Sequence, residues 1–226
     1  FSKQKGIKTY LLKSAKTKNQ EIIDLLWNCN PYIKGRKEGP WNAGDHKKIK
    51  YKNYFNNMIL NWEYLSGLNP TNKYPKIYYK PKKIEGLEDK IAVDLNSITV
   101  KYDQKKLRDI IIGVKNNFKN KDFLWICFSK SFQNFEINQN KDLYSQNLQI
   151  KNIFHYCDVL FSLYGYLSFC SGGSHLSSAI KGSSNKLNSM CLIDNEVYEY
   201  QKKRGIYLFD NIQYLKVKNS LTEWNI

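Results

Sequence analysis

Apolar residues along this chain fall into two rhythms. Four short blocks are nearly continuous: Ile91-Ala92-Val93-Asp94-Leu95, Phe123-Leu124-Trp125-Ile126-Cys127-Phe128, Val159-Leu160-Phe161-Ser162-Leu163 and Ser189-Met190-Cys191-Leu192-Ile193. Blocks of this length without polar alternation predict strands buried on both faces. Elsewhere the spacing changes to three and four residues. Leu107, Ile110, Ile111, Val114 and Phe118 form one stripe over 104–119, and Tyr54, Phe55, Met58, Ile59, Trp62 and Leu65 another over 51–66, ended by Gly67. Both stripes predict amphipathic helices. Ile150 to Cys157 reads as the close of a further helix, so that 153–170 combines a buried helix end with a strand. Strand–helix alternation of this kind predicts an α/β chain whose parallel sheet is covered on both faces.

The N-terminal part is less regular. Lys8-Thr9-Tyr10-Leu11-Leu12 predicts a strand, and Phe1 to Gly6 the tail of a helix capped by Gly6, as expected if a preceding segment is missing. Asn19 predicts the cap of a short helix, Glu21 to Trp27, that stops at Asn28-Cys29-Asn30-Pro31. Residues 35–48 form a polar loop with Pro40, Trp41, Gly44, Asp45 and His46. Such a loop can build an acid/base site, with Asp45 as the candidate, or serve as a solvated connection with Trp41 tucked against the core. Tyr74 to Pro81 reads as extended, and the Lys-, Pro- and Gly-containing link at 80–90 predicts a boundary between two domains, 1–85 and 86–226.

Composition narrows the function. With 42% apolar and 15% aromatic residues the chain folds, and its formal charge of +16 attracts anions such as nucleic acid, membrane surfaces or phosphorylated small molecules. The cations are nearly all Lys; Arg occurs only at 36, 108 and 204, which speaks against a dedicated nucleic-acid reader. The 17 tyrosines would suit a basic nucleic-acid-binding module, yet they scatter among apolar stripes where packing explains them. Five cysteines, odd in number and without a CxxC pair, fit a reducing compartment rather than a disulfide framework or zinc knuckle. Three dispersed histidines predict no metal site. No charged segment followed by an apolar one opens the chain, so no signal peptide is expected, and His155, Asp158 and Gly165 interrupt 153–170 as a membrane span.

One stretch stands out chemically: Cys170-Ser171-Gly172-Gly173-Ser174-His175, after an apolar run and before a helix-like segment, 174–181. Glycines let a backbone approach a ligand, and a helix N-terminus offers free N–H groups and a favourable dipole to an anion. An ordinary Ser-capped turn would have the same residues. Its place at a strand end, opposite a second loop with Asn96, Ser97, Thr99 and Lys101 after strand 91–95, favours a phosphate cradle, because parallel sheets bind ligands beyond their carboxyl ends.

The run Cys170 to Ala179 resembles the signature Asp-(Ser/Thr)-Gly-x-x-His-x-x-(Ala/Ser)-Ala of bacterial heptosyltransferases, glycosyltransferases with the GT-B fold. Cys157-Asp158 before it, Lys181-Gly182 after it and Asn30-Pro31-Tyr32-Ile33 also look like family features. The motif's acid is replaced by Cys170, which cannot accept hydrogen bonds from sugar hydroxyls as a carboxylate does. The resemblance implies two Rossmann-type domains with parallel sheets, the N-terminal one incomplete. It implies transfer of a sugar from a nucleotide-diphosphate sugar to a hydroxyl of a bacterial surface glycan or glycolipid. Donor diphosphate would rest on Asn96, Ser97, Thr99, Lys101, Ser171, Gly172, Gly173, Ser174 and His175, without metal or other cofactor. A cytoplasmic enzyme touching the inner, anionic face of the membrane is the implied setting, with no nucleic-acid partner. A non-catalytic GT-B-like protein is the alternative that Cys170 supports.

Overall fold

The computed structural model describes residues 2–6, 9–12, 19–37, 54–95, 103–128, 137–184 and 187–217. Near the start, helix α1 (Ser2–Lys5) ends at Gly6, whose φ of +65° supplies the left-handed cap. Strands β1 (Thr9–Leu12) and β2 (Ile33–Lys37) pair in parallel. Between them α2 (Gln20–Ile23) starts under Asn19, whose side chain accepts the Glu21 N–H, and runs into a π-helical turn, Asp24–Asn28. Helix α3 (Met58–Leu65) is shorter than the apolar stripe over 51–66 predicts. Two asparagines explain the difference. Asn57 accepts from the N–H groups of Ile59 and Leu60 and begins the helix there. The fully buried Asn61 accepts from Tyr54 and Phe55 N–H and donates to Phe55 carbonyl, folding the preceding chain back onto α3 instead of continuing it.

The rest is a parallel α/β unit. Its elements are β3 (Lys90–Asp94), α4 (Gln104–Asn117), β4 (Asp122–Phe128), β5 (Gln146–Ile150), α5 (Ile153–Ser162), β6 (Gly165–Phe169), α6 (Gly172–Ser184), β7 (Asn188–Asp194), α7 (Asn195–Arg204) and β8 (Gln213–Val217). The six strands are ordered β5-β4-β3-β6-β7-β8, every neighbouring pair parallel. The α/β class expected from the alternation is therefore the one observed, and its strand order is that of a dinucleotide-binding sheet.

Alternate residues of each strand feed two cores. Ile91, Val93, Phe123, Trp125, Leu167 and Leu192 face α4 through Leu107, Ile111 and Val114. On the other side Ala92, Leu124, Ile126 and Tyr166 face α5 and α6 through Tyr156, Leu160, Leu176 and Ile180. Burial on both faces is why the strand blocks read as continuous rather than alternating. Capping residues set the helix starts: Asp103 for α4, Asn152 for α5, Asp194 for α7, with Gly205 (φ +62°) closing α7. The reading of 150–157 as a helix end is corrected: Ile150 closes strand β5, and the block Val159–Leu163 lies mostly within α5.

Residues 77–87 lie along α5 and do not hang free. Asp158 Oδ1 accepts from the Tyr79 hydroxyl (2.9 Å) and the Lys82 N–H (2.8 Å), and Ser162 Oγ accepts from the Ile84 N–H (2.8 Å). Ile77, Tyr79, Ile84 and Leu87 add their apolar surface to the α5–α6 core. At the first turn of α5, Glu21 accepts the Ile153 N–H (2.9 Å), joining α2 to the same helix. No described helix is long and apolar enough to cross a membrane.

Asp158→Ala removes the acceptor for two of these bonds. The expected cost is about 1–3 kcal/mol in urea denaturation, together with faster tryptic cleavage after Lys82 or Lys83 under native conditions. Cleavage at the wild-type rate would show that the Asp158 bonds do not hold the strap.

Three phenols give a second expectation. The Tyr79 hydroxyl is pushed up to about 12, by burial first and then by its bond to Asp158, and Tyr156 and Tyr166 are raised well above the ordinary value by burial and by Asp94. Phenols that ionise later when folded stabilise the fold fully below pH ~10, the unfolded tyrosine value, and this stabilisation is lost as pH rises above it. Stability should fall from about pH 10 upward, with the 295 nm phenolate absorbance of Tyr156 and Tyr166 appearing only on unfolding.

Candidate functional site

Strands β3 and β6 are neighbours, but the chain leaves β3 toward β4 on one side and β6 toward β7 on the other. A crevice at such a reversal is the standard ligand position of an open α/β sheet. The glycine turn Cys170–His175 stands there. Cys170 and Ser171 turn out of β6 and α6 begins at Gly172, two residues earlier than the predicted 174.

The turn is held by its own hydrogen bonds. Ser174 Oγ accepts from Ser171 N–H (3.1 Å) and donates to the Ser171 carbonyl (2.7 Å). The same carbonyl accepts the His175 N–H (3.3 Å) and His175 Nδ1–H (2.7 Å). Because a carbonyl can only accept, the neutral imidazole carries its proton on Nδ1. Its Nε2 is buried and has no hydrogen-bond partner among the described residues. The ring packs edge-on against Tyr207 (5.6 Å) and Phe209 (5.4 Å). Tyr207 takes a left-handed φ of +56° to lie there. His175 thus braces the turn against the loop after α7. As the first residues of a helix, Gly172, Gly173 and Ser174 have N–H groups without an intrahelical partner, and no described residue bonds them.

The two glycines do different work. A Cβ on Gly172 would meet nothing within 4 Å, so its side of the turn is open. A Cβ on Gly173 would come within 2.4 Å of the Tyr166 hydroxyl, 2.9 Å of the Tyr156 hydroxyl and 3.2 Å of Asp94 Oδ2. Beneath it, at the end of β3, Asp94 is buried and accepts from Tyr156 and from Tyr166 (2.9 Å); the two hydroxyls also touch each other. A buried carboxylate needs such donors, since an unpaired one costs several kcal/mol. Its negative charge closes the inner side of the turn to an anion and leaves the outer side, at Gly172 and the Ser171 hydroxyl.

Among the predicted site residues, Ser171, Gly172, Gly173, Ser174 and His175 come together in this turn. Asn96, Ser97, Thr99, Lys101 and Asp45 lie outside the described residues, although β3, which precedes the first four, borders β6. Cys170 is partly buried, packed against the small core of Cys191, Phe209 and Ile212, with Sγ 3.9 Å from Gln201 Oε1. Its thiol is lowered by interaction with Cys191, which outweighs burial. The Asp94–Tyr156–Tyr166 cluster has one signal in the sequence, a lone acid in the apolar block 91–95. The tyrosines look like core residues and carry none.

No family model matches the chain, and no curated protein matches it. Solved structures similar to it include E. coli heptosyltransferase WaaC with ADP, at 12% identity and a TM-score of 0.48, covering 69% of this chain and 48% of that one. Another is the bacterial iron-containing dodecameric glycosyltransferase TibC from enterotoxigenic E. coli, at 12% identity and 0.46, covering 77% and 48%. The chain spans about half the length of the solved structures it matches. At these scores the likeness carries no argument about chemistry, and the strand order rests on the registers above.

Gly173→Ala should destabilise the fold by about 1–3 kcal/mol, because the locked phenols cannot retreat. Adding Tyr166→Phe removes the nearest atom, so the double variant should lose less than the sum of the single losses. Simple additivity in urea denaturation would refute the contact.

Proposed function

We propose that the glycine turn binds the diphosphate of a nucleotide sugar, and that the chain belongs to a metal-independent glycosyltransferase acting on a hydroxyl of a surface glycan or glycolipid. The observation that carries the reading is the turn itself: three N–H groups at the start of α6 that no described residue bonds, open on the Gly172 side, at the reversal of a dinucleotide-type sheet. The match of Cys170–Ala179 to the heptosyltransferase signature supports it. In this reading the Gly172, Gly173 and Ser174 N–H groups and the Ser171 hydroxyl hold the donor phosphates. Asn96, Ser97, Thr99 and Lys101, which follow β3 in the sequence, are the further candidates for these phosphates. Together they stabilise the charge that develops on the leaving diphosphate. A base in the N-terminal part, with Asp45 as candidate, would take the acceptor's proton. The site sits in a domain formed by 86–226, and the basic surface suits an acidic acceptor or the inner face of an anionic membrane.

A second reading is favoured by Cys170. The position that holds an acid in the resembled signature is turned into a small apolar core, so nucleotide binding without transfer fits the same turn.

Nucleoside diphosphates decide the first point. ADP, UDP, GDP or CDP should raise the melting temperature without added divalent cation, and Lys101→Ala should reduce the affinity about tenfold, the loss of one charge-assisted hydrogen bond. No shift with any of them would overturn the phosphate cradle. Turnover of a mixture of nucleotide sugars, followed by diphosphate release, separates the transferase from the binding protein.

A further inference from the structure

A pair of cysteines lies beneath the glycine turn. Cys191, in the middle of β7, pairs in register with Ser168 of β6, two residues before Cys170. Strand alternation therefore puts both cysteines on one face of the sheet, where they share the small core of Phe209 and Ile212. The Cys170 N–H donates to the Leu192 carbonyl (3.1 Å), which holds the end of β6 against β7. The two thiols are hydrogen-bonded to each other, and the Cys191 thiol also lies within hydrogen-bonding reach of the Ser174 hydroxyl. Cys191 is wholly buried, whereas Cys170 keeps part of its surface exposed.

The two sulfurs are chemically unequal. The bond from Cys191 lowers the Cys170 thiol against the effect of burial, and the same bond, together with burial, raises Cys191 well above its ordinary value. Cys170 is thus the sulfur of the pair that ionises first, and the thiolate is the form that attacks. Elsewhere burial pushes the Cys127 thiol up, and the Cys157 thiol up to about 12. A partly exposed cysteine that ionises readily, in contact with a second thiol, is the arrangement of an attacking and a resolving cysteine.

We propose that Cys170 and Cys191 are a redox-active pair that a hydroperoxide converts to a disulfide, fastening the glycine turn to β7. In the first step the Cys170 sulfur attacks one peroxide oxygen and the O–O bond breaks. The sulfur is oxidised to a sulfenic acid, and the other oxygen leaves with the thiol's proton, as water from hydrogen peroxide or as an alcohol from an organic hydroperoxide. The Cys191 sulfur then attacks the Cys170 sulfur. The S–O bond breaks, and the hydroxyl leaves as water with the Cys191 proton. Both thiols are oxidised to one disulfide and the hydroperoxide is reduced. A covalent bond is shorter than a hydrogen-bonded contact, so Cys170 is drawn toward β7. It carries with it Ser171, the residue to which Ser174 and His175 are bonded. The pair stands whether or not the turn binds a nucleotide.

Treatment of the full, previously reduced chain with equimolar hydrogen peroxide tests it. Free thiols counted after denaturation should fall from five to three. Digestion with trypsin and chymotrypsin, which cleaves between Cys157 and Cys170 at Phe161 and Tyr164, should yield two peptides joined through Cys170 and Cys191 that dithiothreitol separates. Cys191→Ala should instead stop at a sulfenic acid on Cys170, trapped by dimedone. Should that variant fail to fold, Cys170→Ser, which removes the attacking sulfur, should keep Cys191 reduced. In proton NMR the His175 ring signal, assigned with His175→Gln, should shift on oxidation and return with dithiothreitol, while that of His155 stays. A thiol count that remains at five, a disulfide through any other cysteine, a Cys191→Ala chain without a dimedone adduct, or Cys191 oxidised in Cys170→Ser overturns the pair. An unmoved His175 signal overturns its hold on the turn.

Discussion

A carboxylate buried at the end of a strand is the constraint around which this site is arranged. Asp94 leaves water as β3 ends, and two phenols supply the donors it requires. One comes from the first half of α5 and the other from the start of β6, so a single charge ties together the strand, its neighbour and the covering helix. The start of α6 then has to pass over those hydroxyls at a distance that only a residue without Cβ permits. Gly173 answers that demand, leaving the neighbouring Gly172 as the open one. A glycine pair that looks like one flexible ligand loop is thus one packing glycine and one exposed glycine.

The fold was legible where both faces of a strand are buried. β3, β4 and β7 announce themselves as apolar blocks, and α4 by its stripe of Leu107, Ile111 and Val114. The edge strands were not legible. β5 reads Gln-Asn-Leu-Gln-Ile and β8 Gln-Tyr-Leu-Lys-Val, each pairing on one side only, with polar residues that keep the free edge compatible with water. The extent of α3 was hidden for another reason. Apolar spacing over 51–66 continues past the helix start, and the decision belongs to the hydrogen bonds of Asn57 and Asn61.

The candidate site divides the same way. The turn itself was legible from local pattern, a small-residue run after an apolar one and before a helix-like segment. The roles of its side chains were not. Ser174 and His175 are polar residues whose sequence context suits a ligand, yet their hydrogen bonds are directed at Ser171. Which atoms remain free for a ligand depends on bonds closed within the turn, and residue identity does not encode that. Cys170 behaves likewise, its thiol directed into a small apolar cluster that includes residues twenty and more positions away.

The strap of residues 77–87 bears on how the molecule can move. A Pro- and Lys-bearing link between two halves is ordinarily where a chain flexes, but here Tyr79, Lys82 and Ile84 are each bonded to α5, the helix that also donates to Asp94. The link behaves as a splint. Further back, Tyr74 lies against Gly182 near the far end of α6. Displacement of the segment before the link would therefore press on both helices flanking the glycine turn, so strain at one end of the molecule has a mechanical route to the other.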